Sequence, residues 1–383
     1  MIDQKLHILI IPSWYLTINN QLSGVFFKEQ AEALAKQDIK IGCIAINESS
    51  LRYVFSQKET SFSFYEKNVN SVRTISVLYP IANRWNRLRN FIRKFVFKII
   101  FKKYIKKYGK PDLVHLHSFL YGDLAIWIKK KYGINYIVTE HSTGFARDLY
   151  NKKELTFAKE VFVNSKYNIC VSNEFKKLLE TIFDVEFNYI ANVIDTEYFV
   201  PKSREAGNFR FINIGFLDKK KNQYLLIEAF TKAFIHKDVI LIIVGSGAEY
   251  DTLKNLIKKL NMEKQIKLYG KAKREEVLNL LQGADSFVLA SEYETFGVVL
   301  IEAMSCGLPV VATRCGGPES IVINEKLGNL VDINIDTLAK GMLDVYGKEY
   351  DSSYIRRYVI DNFSEKVISE KLLNIYTQLI LKL

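Results

Sequence analysis

Two carboxylates eight residues apart, Glu294 and Glu302, close the two ends of the stretch ETFGVVLIE. The second interrupts an apolar run, with Val298 to Ile301 before it and Ala303, Met304 and Cys306 after it. A charged side chain is almost never fully buried unless it is paired, so Glu302 asks for a partner. The stretch leaves a strand-like run, SFVLAS, and its spacing predicts a helix that opens near Phe296. The free N–H groups of Phe296, Gly297 and Val298 would then form an anion site at a helix N-terminus. Gly297 lets a ligand approach the backbone closely. Glu294 stands just outside that helix, and Glu302 lies about 7 Å along its axis from Gly297. A carboxylate accepts from two vicinal hydroxyls, so the arrangement suits a ribose or a hexose attached to a diphosphate.

Three further loops follow strand-like runs. GFLDKKKN, from Gly215 to Asn222, sets three lysines where a strand ends and a helix begins. A lysine there can neutralise a phosphate, and a solvated lysine run fits the composition equally. VGSG, from Val244 to Gly247, lacks the third Gly of a dinucleotide loop and the Lys of a phosphate loop. For Gly245 a plain tight turn and a ligand contact both stay open. CGGPE, from Cys315 to Glu319, is a second Gly-rich loop.

The elements that must position these residues alternate almost throughout. LHILII, IKIGCIAI, DLVHLHS, NYIVTEH and NICVS read as strands, and VFFKEQAEALAKQ, LYGDLAIWIKKKYG and NEFKKLLETIF as helices. The pattern restarts after YIANVIDTEYFVP with FRFINIGFL and runs through VILIIVGSG, IKLYG, SFVLAS and LPVVAT. Strand–helix alternation of this kind gives parallel sheets covered on both faces. The fold class is therefore α/β: two Rossmann-like doubly wound parallel-sheet domains facing each other across a cleft. The boundary falls in the linker-like run around Pro201, giving an N-terminal domain over 1–200 and a C-terminal domain over 201–365. Ligands bind such sheets at the carboxyl ends of the strands.

Composition narrows the classes. No run reaches the roughly 18 apolar residues of a membrane span. The start, MIDQKLHILIIPSWY, reads as a first buried strand rather than a signal peptide. Four cysteines form no C-x-x-C pair, and inert thiols of a reducing compartment are expected. His115 and His117 share one strand face, but no third ligand is in sight, and no metal is expected.

The net charge of +12 is uneven. Residues 83–110 hold eleven Lys or Arg and no acid, so the rest of the chain, twelve less eleven, carries one. On a helix, Trp85, Leu88, Phe91, Ile92, Phe95, Val96 and Ile99 fall on one stripe, and Phe97, Ile100, Phe101, Tyr104 and Tyr108 on another. The second stripe leads into PDLVHLH and is expected to pack on the sheet. The first, bordered by arginines, fits an interfacial helix on an anionic membrane. Arg84, Trp85, Arg87, Arg89, Phe91, Arg93 and Lys94 are the residues expected at that surface. No nucleic-acid motif accompanies the charge, so nucleic acid is not an expected partner.

The C-terminal half resembles the retaining glycosyltransferases of family 4, which have the GT-B fold. Their signature is E-x7-E with F-G after the first Glu, then a G-x-P-V-V strand and a G-G-x-x-E loop. Here the residues read ETFGVVLIE, then CGLPVVAT, then GGPE. The match covers nearly the whole chain, more strongly in its second half, and its closing segment includes a C-terminal helix over 366–383 that should pack back on the N-terminal domain.

The resemblance implies that Glu302 holds a nucleotide ribose and Glu294 the donor sugar. Phe296, Gly297 and Val298 would bind diphosphate or sugar. Gly215 and Lys221 would form the phosphate site, with Lys221 neutralising the leaving diphosphate. TEHSTGF resembles the family's T-x-H loop, putting His141 near the transferred sugar. Ser23 and Gly24 fall on the family's first loop, near diphosphate or acceptor. It implies no cofactor and no metal, in line with the absence of a D-x-D motif; the nucleotide-sugar, most simply a UDP-sugar, is a substrate. A lipid-linked glycan acceptor in bacterial surface polysaccharide assembly, and a peripheral place on the cytoplasmic face of the membrane, complete the expectation. Phe216 stands where the family often has Arg, Ser23-Gly24 where many members have Gly-Gly, and NVID where NGVD is usual. An epimerase or phosphorylase on the same fold, and a non-catalytic membrane-tethered partner, are the alternative readings.

Overall fold

The computed structural model describes residues 5–16, 24–50, 62–81, 86–203 and 207–381, without the side chains of residues 50, 81, 86 and 87. Ser23, Arg84, Trp85 and the side chain of Arg87 therefore lie outside the described residues. The chain divides into two compact units. The first takes residues 1–171, 178–193 and 365–383, and the second takes 172–177 and 194–364.

In chain order the first unit begins β1 (His7–Pro12), α1 (Val25–Ala35), β2 (Lys40–Ser50), β3 (Ser63–Val69), β4 (Val72–Ile81) and α2 (Asn86–Tyr108). It continues β5 (Leu113–His117), α3 (Gly122–Tyr132), β6 (Tyr136–Glu140), α4 (Lys152–Asn164), β7 (Asn168–Cys170), α5 (Asn173–Phe183), whose first turn falls in the second unit, and β8 (Asn188–Tyr189). The strands pair in the order β3-β4-β2-β1-β5-β6-β7-β8. β1 is buried along its whole length, as HILIIP requires, with Ile10 opposite Cys43 of β2 and His115 of β5. The pairs are parallel except β3 with β4. That antiparallel hairpin is not among the elements expected from the sequence. It turns at Asn70 and Ser71, both at positive φ (48° and 65°), the backbone that suits a tight hairpin.

The second unit holds β9 (Phe209–Ile214), α6 (Gln223–Phe234), β10 (Val239–Val244), α7 (Tyr250–Lys259), β11 (Ile266–Gly270) and α8 (Arg274–Gln282). Then come β12 (Ser286–Leu289), α9 (Val298–Ser305), β13 (Val310–Thr313), β14 (Gly328–Val331), α10 (Ile335–Tyr346) and α11 (Ser352–Phe363). The closing helix α12 (Glu365–Leu381) belongs to the first unit. Its Tyr376 hydroxyl meets His115 Nδ1 at 2.7 Å, and Ser369 accepts from Gln37 at 2.9 Å. The second sheet is all parallel, ordered β11-β10-β9-β12-β13-β14. The two doubly wound parallel-sheet domains expected from the sequence are thus present. In each, the order runs outward in both directions from the domain's first strand, so switch points lie at β1/β5 and β9/β12.

Within the basic segment, residues 86–108 form the helix α2. Phe97, Ile100, Phe101 and Tyr104 are buried. Leu88, Phe91, Phe95 and Ile99 are 42–67% exposed, on one face by their spacing of three and four. The expected arginine border needs correction. Arg93 is buried, donates to both oxygens of Asp123 at 3.1 and 3.3 Å, and lies over the Tyr121 ring. Lys94 shares Asp123 at 3.3 Å, and Arg89 pairs with Glu48 at the end of β2. Arg93 turns inward because Asp123, itself largely covered, needs a counter-charge, while Arg89 and Lys94 reach Glu48 and Asp123 from partly exposed positions. The exposed basic residues of α2 are Lys102, Lys103, Lys106 and Lys107, the last paired with Glu66. Among the described residues no helix is long and apolar enough to cross a membrane.

Candidate functional site

In the second unit, the loops after β9 and β12 leave neighbouring strands at the switch point. Lys221 ends the first loop and Glu294 stands in the second, and their side chains form an ion pair. Both are largely out of water, at 15% and 10% exposure. Burial pulls the Lys221 ammonium toward neutrality, but the Glu294 carboxylate beside it, with Asp218 and Cys315, outweighs this and the net shift is upward. Ser291 Oγ donates to Glu294 Oε1 at 3.0 Å. Asp218 accepts from the backbone N–H of Lys221 at 3.1 Å and shapes the short turn of three lysines. The loops are also stitched by backbone, Glu292 N–H to the Lys220 carbonyl (2.7 Å) and Glu294 N–H to the Cys315 carbonyl (3.1 Å).

The Gly-rich loops serve this packing. A Cβ on Gly245 would stand 1.8 Å from the Gly215 carbonyl oxygen, and one on Gly317 would stand 2.4 Å from that of Phe296. Gly245 and Gly317 thus let the loops after β10 and β13 lie directly against those carrying Lys221 and Glu294. Gly215 itself borders the aliphatic stem of Lys221.

Helix α9 opens at Val298, two residues later than its spacing suggests, because Gly297 takes φ 102° and ψ 60° and is the N-cap. The Phe296 ring is buried and packs edge-on to Phe363 at 5.8 Å. The free N–H groups of the helix end therefore begin at Val298. Glu302 is half-buried on α9, one helical turn past Val298. Phe216, where a second cation is usual in the family, is 60% exposed.

In the first unit, His141 follows β6 and is buried. Its Nε2 lies 3.1 Å from His117 Nδ1, and the two rings are 26° from parallel. Phe26 and Phe27 of α1, just past Gly24, each put a ring 5.1 Å from that of His141. Gly24 is the left-handed N-cap of α1, tight against the Trp14 carbonyl. His115 stacks on His117 at 4.3 Å and is held by Tyr376 and by Thr139 Oγ1, both at 2.7 Å. Burial holds His115 and His141 down at about 3 and His117 well below its ordinary value, so all three are neutral near pH 7. The third histidine that strand spacing does not reveal is His141, yet the three stack rather than converge. Among the described residues no group of three or more His, Cys, Asp or Glu is placed to hold a metal ion.

Sequence reasoning missed Glu140. Fully buried, it accepts from the N–H groups of Phe119 (2.8 Å), His141 (2.9 Å) and Ser142 (2.8 Å). Burial raises its carboxyl pKa, and those donors counter the rise. It shapes the loop that carries His141. The signal was visible: a charge next to His141, at the end of an apolar strand. Ser291 and Asp218 were missed too, and nothing in their local spacing marks them.

The cysteines Cys43, Cys170 and Cys306 are free and buried, and Cys315 is free and half-buried. Burial pushes Cys315 up to about 12, with help from Glu294, which makes it an inert thiol.

A lysine–carboxylate pair and a helix N-cap glycine at a parallel-sheet switch point suit a phosphorylated sugar donor. Residues 195–361 match the family model described as Glycosyl transferases group 1, and residues 23–198 match Glycosyltransferase Family 4. The two matches together span residues 23–361, and each is to a glycosyltransferase domain. It is 27% identical to N-acetyl-alpha-D-glucosaminyl L-malate synthase of Bacillus anthracis over 59% of the chain and 62% of that protein, so under two thirds of that relative is spanned. It is 29% identical, over 71% of the chain and 76% of the relative, to UDP-Gal:alpha-D-GlcNAc-diphosphoundecaprenol alpha-1,3-galactosyltransferase of Escherichia coli. The solved structure of sucrose-phosphate synthase from Thermosynechococcus elongatus superposes with a TM-score of 0.79 at 21% identity, over 98% of this chain and 100% of that one. That likeness speaks to the fold. Donor and acceptor must be argued from the site.

Proposed function

We propose that this glycosyltransferase moves a sugar, with retention, from a UDP-sugar to a lipid-linked glycan acceptor at the cytoplasmic face of a membrane. The observation that carries the reading is the Lys221–Glu294 pair at the β9/β12 switch point. It offers one cation for a diphosphate and one carboxylate for sugar hydroxyls. Gly215, Gly245 and the α9 N-terminus (Phe296, Gly297 and Val298) surround the phosphates, and Glu302 takes the ribose. Ser23 and Gly24 of the first domain serve the diphosphate or the acceptor, and His141 meets the transferred sugar.

In the reaction the bond from the sugar's anomeric carbon to the diphosphate oxygen breaks. A bond to the acceptor oxygen forms on the same face, and the acceptor's hydroxyl proton passes to the departing diphosphate. Lys221 stabilises the charge that develops on that leaving group. No metal is assigned a role, because Lys221 supplies the positive charge.

The similarity to a galactosyltransferase named for UDP-Gal and a diphosphoundecaprenol acceptor supports both substrate classes. The outward stripe of Leu88, Phe91, Phe95 and Ile99, continued by Lys102, Lys103 and Lys106, supports contact with an anionic bilayer. The test is transfer from a panel of UDP-sugars to polyprenyl-diphosphate-linked acceptors, with and without a chelator, and with the product's anomeric configuration read by NMR. Wild-type rates in folded Glu294→Ala, Lys221→Ala and His141→Ala variants would sink the site. Consumption of the sugar nucleotide without an acceptor would point to an epimerase or hydrolase instead.

A further inference from the structure

We infer that the Lys221–Glu294 pair makes the second domain prefer an intact nucleotide-sugar over the bare nucleoside diphosphate that remains after transfer. The inference rests on the donor site proposed above. Lys221 and Glu294 are each other's partners in this structure, and both are shielded from water. Neither is therefore freely available to a ligand. A diphosphate that takes Lys221 must also draw it away from Glu294.

The cost of that separation depends on the rest of the ligand. Ser291 Oγ remains on Glu294 Oε1 at 3.0 Å, but one neutral hydroxyl does not replace an ammonium. A sugar attached to the diphosphate brings hydroxyls that donate to the freed carboxylate. A bare nucleoside diphosphate brings only further negative charge, next to an anion already largely out of water and with no new donor. Like charges brought together in a partly dry site oppose binding, and a buried charged acceptor left short of donors opposes it further.

The surrounding loops keep Glu294 from swinging away. Its N–H is held by the Cys315 carbonyl at 3.1 Å, Glu292 N–H is held by the Lys220 carbonyl at 2.7 Å, and Gly317 sits tightly behind Phe296. The backbone of Glu294 therefore stays in place, and Ser291 Oγ on its Oε1 keeps the carboxylate beside whatever displaces it from Lys221. Once the sugar has been transferred, the same carboxylate weakens the hold on the departing diphosphate. Glu294 is thus a specificity-determining residue between donor and spent donor.

Calorimetric titration at pH 7 and constant salt tests this with UDP, UDP-glucose, UDP-galactose and UDP-N-acetylglucosamine. Glu294→Gln, which keeps the shape and removes the charge, should tighten UDP roughly tenfold while weakening the preferred UDP-sugar, so the affinity ratio collapses. Glu294→Ala, the second variant, should shift the ratio in the same direction. Lys221→Met should weaken both ligands together. UDP affinity unchanged or weaker in both Glu294 variants, with a UDP-sugar still bound by the wild type, overturns the inference and leaves the donor site standing. No binding of any of the four ligands to the wild type overturns the donor reading and the inference with it.

Discussion

His117 and His141 approach to 3.1 Å, Nδ1 to Nε2, with their rings nearly stacked and both out of water. His115 extends the stack, and its far side is anchored by Tyr376 from the last helix of the chain. Three imidazoles in one dry cluster cannot readily charge, since each cation would be desolvated and would repel the next.

This stack sets a pH dependence of stability. These histidines have folded-state pKa values below the ordinary 6.5, at about 3 for His115 and His141. The unfolded chain then binds more protons, so their stabilisation is complete above about pH 6.5 and is lost as pH falls toward 3. His115 and His141 each contribute a slope of at most about 1.4 kcal/mol per pH unit in that window, and His117 acts in the same direction. Glu140, whose carboxyl is raised by burial, acts in the opposite sense above the ordinary glutamate pKa. Urea denaturation between pH 7 and pH 5 should show stability falling with pH, with a shallower fall in His115→Gln. A flat profile would contradict the neutral stack.

Tyr376→Phe removes one buried hydroxyl from His115 Nδ1 without creating a cavity. The expected loss is about 1 kcal/mol, read as a lower urea midpoint with an unchanged slope. A loss several times larger would mean that the hydroxyl organises more of the domain than this one contact.

On α2, packing and exposure separate two roles. Arg93→Ala should cost about 3 kcal/mol, because it strands the covered Asp123 with only Lys94. Phe91→Ser with Phe95→Ser should change stability by about 0.5 kcal/mol or less, since both rings are exposed. The same double variant should lose flotation with liposomes containing anionic lipid. Flotation equal to wild type would remove the apolar stripe from the membrane argument.

Gly245→Ala should destabilise the second domain by about 3 kcal/mol. Its new methyl would meet the Gly215 carbonyl oxygen, a backbone atom that cannot rotate aside. Chemical denaturation measures the cost, and a near-neutral result would mean that the loops after β9 and β10 give way easily.

Strand–helix alternation and buried apolar runs sufficed to specify two parallel-sheet domains, because a strand covered on both faces must be apolar throughout. The spacing from Glu294 to Glu302 and the glycines between loops likewise marked one edge of the second sheet. The β3–β4 hairpin escaped notice because its outer strand is mostly exposed, with no residue buried, and carries no sustained apolar alternation.

Partners were a matter for the tertiary structure. That Lys221 rather than Lys219 or Lys220 meets Glu294, that Arg93 turns inward to Asp123, and that His141 completes a stack with His115 and His117 all join residues far apart in the chain. Local pattern reports which face of an element is apolar. It does not report which charge waits on the neighbouring element, and for buried ion pairs and neutral histidines that neighbour decides the protonation state and the chemistry.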